Sequence, residues 1–451
     1  MTGGDSLESV VDAVRRRVDP SDEERRRLQQ TAAELTERAA AAIEDLGVDA
    51  DVVQVGSTAR GTWVSGDRDI DVFVRFDTDL SRHELERYGL KIGNRVLPDG
   101  REEYADHPYV TGEADGFDVD LVPCYRVDSA ADIKSAVDRT PFHNAYLEER
   151  LSGESAGDVR LFKQFLKGIG AYGSDLRTRG FSGYLTELLV LEYGGFEAVL
   201  EAAAEWHPPV RLDPEDHGAA SFDDPLIVID PTDPERNVAA VVAPEKVARL
   251  QHYARSFLAE PRASIFEPDD PRPVSGEDVR ALVAERGTTP LAITFESPDI
   301  VDDQLYPQLR RSLDGLVTGL EQHGFEVLRG TVFADDIAVL FVELSVASLP
   351  AIERHEGPPV HVAEHASGFL EKYENEDVSG PFIDGDRYVV ERPRPVTSAR
   401  SFVDEHLFDV ALGARVESAL TSGYTVLQDE EIARLAPEFG VALARYFNPT
   451  P

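Results

Sequence analysis

Asp69-Ile70-Asp71 and, further along the chain, Asp118-Val119-Asp120 set carboxylates two residues apart inside apolar segments. In an extended strand, residues two apart point to the same side, so Asp69 and Asp71 share one face, as do Asp118 and Asp120. Like charges so close together repel, and in an apolar setting they are costly to desolvate. A divalent cation between them would supply the compensating charge. Two such ions about 3.5–4 Å apart can activate an attacking oxygen and stabilise a leaving one in a phosphoryl displacement. That chemistry needs shared carboxylates and one more from a neighbouring strand. Asp69, Asp71 and Asp120 are the candidate ligands, with Asp118 on the face of Asp120. The competing account makes Asp69 and Asp71 two of 85 acids on a solvated surface. Ile70, Val72, Phe73 and Val74 weigh against it, because they mark a buried strand.

Upstream, Gly56-Ser57 follows a short β-rich stretch, where backbone N–H groups and a hydroxyl could approach a triphosphate. Arg60, three residues on, could share that ligand or be a surface arginine. Between residues 160 and 180, Arg160, Lys163, Lys167, Arg177 and Arg179 face one acid, Asp175, which reverses the sign of the chain. On a helix, Arg160, Lys163 and Lys167 form one ridge, where like charges are slightly unfavourable. A triphosphate or RNA backbone would offset the repulsion, and so would acids elsewhere in the protein. His143, after Thr140-Pro141-Phe142, could donate to a phosphate or serve packing. Tyr172, in Gly170-Ala171-Tyr172-Gly173, could stack, reach a phosphate or pack its own loop. Cys124, Trp63 and Trp206 read as core.

The elements that would position these residues follow from patterning. Ser21-Asp22-Glu23-Glu24 is a capping-box signature, followed by Leu28, Ala32, Leu35, Ala39, Ile43 and Leu46 at helical spacing. Asp51–Val55, Ile70–Val74 and Phe117–Val122 read as strands, so the first 145 residues form a small α/β unit whose strands carry carboxylates. Residues 158–206 read as helical and residues 207–225 as a loop, the two within a separate domain over 146–262. Pro261, Pro268, Pro271 and Pro273 mark a linker. From 275 to 451 a strand at 291–295, a helix at 308–323 and strands at 325–328 and 337–344 suggest a split, ferredoxin-like β-α-β-β sheet, a platform often used for RNA. Helical stretches near 401–420 and 428–446 follow. The fold class is multidomain α+β.

The chain has 451 residues with 45 basic and 85 acidic side chains, a formal charge of −40. Such a charge ordinarily opposes polyanionic partners. Six of the basic residues are lysine and 39 are arginine. An acidic surface that avoids lysine fits high salt, where repulsion is screened over a few ångströms. Composition therefore describes the solvent and leaves nucleic acid open as a partner. One cysteine allows no internal disulfide. The N-terminus lacks a basic start and an apolar run, and no stretch approaches the ~20 apolar residues of a membrane span, so a cytoplasmic protein with no membrane partner is expected.

These residues resemble the nucleotidyltransferase superfamily, nearest to its archaeal-type (class I) CCA-adding enzymes. The resemblance rests on Gly56-Ser57-Thr58-Ala59-Arg60-Gly61-Thr62-Trp63, Asp69-Ile70-Asp71-Val72-Phe73 and Val119-Asp120-Leu121-Val122-Pro123-Cys124-Tyr125. It extends through Ser135 to His143, Arg179-Gly180-Phe181-Ser182-Gly183-Tyr184 and the Asp230 to Ala240 segment. It implies a polymerase-β-like head and template-independent rebuilding of the 3′-terminal CCA of tRNA from CTP and ATP. It further implies Mg²⁺ on Asp69, Asp71 and Asp120, and nucleotide contacts from Ser57, Arg60, His143, Lys163 and Tyr172. Arg236 matches an arginine that reads the base, and a homodimer is implied. Three other functions remain: a relative adding only A, a small-molecule nucleotidyltransferase, and an RNA-binding protein with a dead catalytic fold. The C-terminal half disfavours the second, and three intact acids disfavour the third.

Overall fold

The computed structural model describes residues 6–104, 106–218 and 221–451. The start of the chain, Met1 to Asp5, lies outside the described residues. Two compact units divide near Asp269 and Asp270.

The first unit opens with α1 (Leu7–Val18) and α2 (Asp22–Leu46). The capping box forms as the sequence predicts: Ser21 accepts from the Glu24 N–H, and Glu24 accepts from the Ser21 N–H. β1 (Ala50–Val55), α3 (Gly56–Arg60), β2 (Asp69–Phe76), α4 (Arg82–Val96), β3 (Arg101–Tyr104), β4 (Pro108–Ala114) and β5 (Phe117–Tyr125) follow. They form a five-stranded sheet in the order β1-β2-β5-β4-β3, in which only β2 and β5 run parallel. α4 lies between the strands expected at Ile70–Val74 and Phe117–Val122; Ser81 and Glu84 cap it, and Leu85, Ile92 and Val96 are buried at helical spacing. Side-chain alternation divides the sheet's two faces. Ile70, Val72, Val74, Val119 and Leu121 pack under α2 and α4. The opposite face carries Phe73 and Cys124 with Val55, and further along the same rows the aspartates.

α5 (Thr140–Glu148), α6 (Gly153–Gly168), α7 (Gly183–Tyr193), α8 (Phe196–Ala204) and α9 (Pro244–Ala259) build a second core of the same unit. Its centre is an edge-to-face cluster of Phe165, Phe196, Phe257 and Phe266. α1 sinks Val10, Val11, Val14 and Val18 into this core, so the first helix of the chain serves the helical part and not the sheet. The stretch read as a loop contains β6 (Val210–Leu212), which runs beside β7 (Leu226–Asp230) and its hairpin partner β8 (Asp233–Asn237).

The second unit contains α10 (Gly276–Arg286), β9 (Thr289–Glu296), α11 (Asp302–Gln322), β10 (Val327–Ala334) and β11 (Ile337–Leu344). β12 (Ile352–Pro359), α12 (Ala363–Tyr373), β13 (Ser379–Asp384) and β14 (Arg387–Pro393) come next, then α13 (Ala399–His406), α14 (Ala414–Ser422), β15 (Tyr424–Gln428) and α15 (Ala436–Phe447). A four-stranded antiparallel sheet has the order β10-β11-β9-β15, with both faces covered by apolar cores. A small sheet, β12-β14-β13, lies between β11 and α13 in the chain. α11 starts six residues earlier than predicted, running through Pro307, which sits near its N-terminal end and forfeits one helical bond there. The stretch 401–420 is broken where residues 411–413 press on α11: a Cβ on Gly315 would strike the Ala411 backbone, and one on Gly413 would strike Gln308. No helix among the described residues is long and apolar enough to cross a membrane.

Candidate active site

The parallel pairing of β2 and β5 sets Asp71 directly opposite Asp120, and Asp69 opposite Asp118. Antiparallel β1 brings Val55 opposite Asp71, so Gly56, the next residue, arrives beside that carboxylate. Gly56 has φ +82°, and any Cβ there would collide with Asp71 Oδ2. Glycine is thus required twice, for the left-handed backbone and for the close approach. Burial, Asp120 and Asp69 push the Asp71 carboxyl up to about 6, against the pull of Arg60 and Lys163. Burial and the neighbouring Asp67, Asp118 and Asp120 raise Asp69 as well.

Carboxylates that hold protons this readily are short of positive charge. The donors are hard oxygens, which suits Mg²⁺, and Mg²⁺ is commonly held by one or two carboxylates completed by substrate phosphates. The residues therefore fit a divalent cation shared with a ligand. They do not form a closed cage: among the described residues, no three or more His, Cys, Asp or Glu side chains are grouped to hold a metal ion by themselves.

Cationic side chains approach these acids from α3 and α6. Lys163 on α6 is buried, which lowers its pKa, while Glu187 and Asp67 work in the opposite direction. Its Nζ lies 5.8 Å from the Tyr172 ring centre, and Lys167 Nζ lies 5.5 Å from the same ring. The Tyr172 hydroxyl and the Lys163 side chain both lie alongside Gly183. Ser57 stands in the first turn of α3, its carbonyl accepting from the Thr62 N–H at 3.0 Å.

Arg60 is more committed than its sequence position suggests. Its Nε and Nη2 fork onto Glu187 at 3.1 and 2.8 Å, and Nη1 donates to Asn144 at 2.6 Å. Glu187 is fully buried on α7 and also accepts from the Thr62 hydroxyl. One turn earlier on α7, Tyr184 stacks on His143, ring centres 3.8 Å apart. His143 meets Asp230 at 2.8 Å, and Arg236 donates to the same carboxylate at 2.7 Å. Two buried acids thus arrange the nucleotide candidates, Glu187 for Arg60 and Asp230 for His143 and Arg236. α5 and α7 link the two groups, because Asn144 adjoins His143 and Glu187 lies a turn from Tyr184. Sequence reasoning missed both acids as site residues. The available signal was an acid inside an apolar run, Leu185 to Val190 for Glu187 and Leu226 to Ile229 for Asp230.

Of the two accounts of the basic ridge, pairing with acids of the chain holds for two of its members. Arg160 donates to Asp19 at 2.7 Å and Lys167 to Asp67 at 2.8 Å, so acids of the chain take up two of its three cations. In so acidic a protein, folding supplies counter-charges before any ligand does. Lys163, the third, pulls on Asp69 and Asp71 electrostatically. Cys124, Trp63 and Trp206 are core, as expected.

Comparison with known proteins covers nearly the whole chain. Residues 37–143 match the nucleotidyltransferase domain model, residues 157–267 the tRNA nucleotidyltransferase second domain, and residues 286–429 the CCA-adding enzyme C-terminal domain. A CCA-adding enzyme of Haloarcula marismortui is 62% identical, with 99% of this chain and 100% of the relative covered. One of Halobacterium salinarum is 60% identical, covering 98% of each chain. One of Methanosarcina acetivorans is 42% identical, covering 96% of this chain and 97% of the relative. The chain belongs to the archaeal CCA-adding enzymes, a family of tRNA nucleotidyltransferases.

Proposed function

We propose that this protein rebuilds the 3′-terminal CCA of tRNA in the cytoplasm from CTP and ATP, without a nucleic-acid template, releasing pyrophosphate. The observation that carries this reading is the register of β2 on β5, which aligns Asp71 with Asp120 beside Asp69 on an open sheet face near Lys163 and Arg60. Asp69, Asp71 and Asp120 would hold Mg²⁺, which when bound lowers the cost of charge on attacking and leaving oxygens. Lys163, kept dry by α6, offers its ammonium to the triphosphate, and the forked Arg60 keeps two of its five N–H groups for the same ligand. Ser57 and the backbone beside Gly56 approach the phosphates, because no side chain intervenes at Gly56. Tyr172, near both Lys163 and Lys167, stands beside the triphosphate, while His143 and Arg236, fixed together on Asp230, receive the nucleoside end.

The domain roles follow the same division: residues 1–145 catalyse, 146–262 bind nucleotide and tRNA, and 275–451 form an α+β body and tail that hold the tRNA acceptor arm. The order β10-β11-β9-β15, with α11 crossing between β9 and β10, supports a ferredoxin-like reading of the C-terminal platform. A homodimer completes the proposal. The exposed Phe382 and Ile383 on edge strand β13 offer an apolar edge for it, and sedimentation at varied concentration would measure it.

The experiment is incorporation of CTP and ATP, singly and together, into tRNA lacking its terminal CCA, with sequencing of the product ends. Addition of C, C and A in that order, with ATP used only after CTP, is expected. ATP runs without prior CTP would replace this function by poly(A) synthesis.

A further inference from the structure

Asp230 ends β7 with no exposed surface and gathers an unusual number of donors. Arg236 Nη1 reaches it at 2.7 Å, His143 Nε2 at 2.8 Å, the Thr232 N–H and hydroxyl each at 2.9 Å, and the Tyr184 hydroxyl at 3.3 Å. An ionised carboxylate only accepts, so the proton between Asp230 and His143 sits on Nε2. The Tyr184 ring, 14° from parallel, fixes the plane of the imidazole. Burial depresses the His143 pKa; Asp230 opposes the shift, and Arg236 and Arg139 add to it. A neutral ring protonated at Nε2 has a lone pair at Nδ1, an atom with no hydrogen bond among the described residues.

We propose that Asp230 is a positioning residue that holds His143 as the Nε2–H tautomer, so that the nucleotide meets His143 as a hydrogen-bond acceptor through Nδ1 and not as a phosphate-binding cation. This rests on the placement of His143 and Arg236 at the nucleotide. Phosphate oxygens of a bound triphosphate are acceptors and cannot pair with Nδ1. The donors that CTP and ATP share are the ribose hydroxyls and the exocyclic amine, and one of these is the partner of His143. The charged and titratable groups around the imidazole are Asp230 from β7, Arg236 from β8, Arg139 from the turn before α5, and Tyr184 from α7.

The test is calorimetric binding, with Mg²⁺ present, of CTP and of three analogues: 2′-deoxy, 3′-deoxy, and one with hydrogen replacing the 4-amino group. Wild-type protein is compared with Asp230→Asn, His143→Gln and His143→Asn, each first checked for a cooperative thermal transition. One analogue binds the wild type about ten- to a hundredfold more weakly than CTP. That penalty falls away in Asp230→Asn, whose neutral amide can donate to Nε2 as well as accept from it, so that the proton is no longer fixed there. It also disappears in His143→Gln, which places its amide at the Nε2 end, and it persists in His143→Asn, whose amide oxygen stands near Nδ1. Wild-type affinity for CTP is level from about pH 7 upward and falls on acidification, as Nδ1 takes a proton. Affinity that rises on acidification would show a cationic phosphate ligand and overturn the proposal, as would identical analogue penalties in all four proteins. If Asp230→Asn does not fold, the two His143 variants decide alone. Failure of the wild type to bind CTP would overturn the nucleotide site itself and this proposal with it, whereas the other adverse results leave the proposed function standing.

Discussion

Two groups of carboxylates in the first unit are held in opposite electrostatic conditions. Asp71 on β2 is pushed up to about 6 by burial and then by its two like-charged neighbours, Asp120 and Asp69. Burial alone would raise Asp230 too, but hydrogen bonds from His143, Thr232 and Arg236 outweigh it and hold that carboxyl well below the ordinary range. Glu187 likewise receives a bidentate arginine. The chain can neutralise buried acids and does so at Glu187 and Asp230, yet it leaves Asp69, Asp71 and Asp120 short of positive charge. The lesson is a division of labour. Paired acids act as scaffold, and acids left in mutual repulsion are reserved for a cation and a ligand from outside the chain.

The largest expected effect breaks the pattern on the open sheet. Asp71→Asn and Asp120→Asn should each lower nucleotide incorporation by about a thousandfold or more. Their thermal midpoints should hold or rise, because a repelled charge is gone; a lower midpoint with activity retained would reverse the assignment. At the scaffold acids the outcome is the opposite in kind. Glu187→Ala leaves Arg60 buried without its partner and should cost about 3–5 kcal/mol in chemical denaturation, and an unchanged midpoint would place Glu187 with the functional acids. Lys163→Ala should raise KM for both CTP and ATP by about ten- to a hundredfold with little stability loss, since the buried ammonium is itself costly. Equal KM values in variant and wild type would remove Lys163 from the ligand.

Asp230 sharpens the comparison through pH. A carboxyl with a depressed folded-state pKa stabilises the fold fully above its unfolded value and loses that contribution as pH falls through the folded one. The stability gap between wild type and Asp230→Asn should therefore stay level from neutrality to about pH 4 and shrink below it. A gap that fades nearer neutrality would mean that Asp230 is not held ionised by its partners. The smallest expected effect is that of salt: incorporation should persist at molar KCl, because screening relieves the repulsion of a chain at −40. Inactivation there, with full activity in dilute buffer, would contradict the salt-adapted reading.

The sequence already displayed the strands that carry chemistry, because alternation of acid and apolar residues in 69–74 and 117–122 leaves little choice of face. α2 was equally legible from its capping box. What pairs with what was hidden. The parallel register that sets Asp71 against Asp120 depends on a crossover through α4, and nothing local to either strand encodes it. The two accounts of the basic ridge stayed open for a related reason: Asp19 and Asp67 lie far from Arg160 and Lys167 in the chain, and only folding brings them together. Glu187 and Asp230 were obscured by the same separation, as their partners sit in other elements. In the second unit, β12 to β14 were unread because proline and glycine interrupt β12 and β13, while β14 buries only the adjacent Val389 and Val390, so none of the three shows a sustained apolar alternation.

The central claim is that Asp69, Asp71 and Asp120 hold divalent cations for nucleotidyl transfer. Its most direct test is a titration of Mn²⁺, followed by electron paramagnetic resonance, into the CTP complex of the wild type and of the Asp71→Asn, Asp120→Asn double variant. The account predicts that the variant complex retains fewer ions than the wild type while CTP remains bound. Equal uptake of Mn²⁺ by both proteins would contradict it.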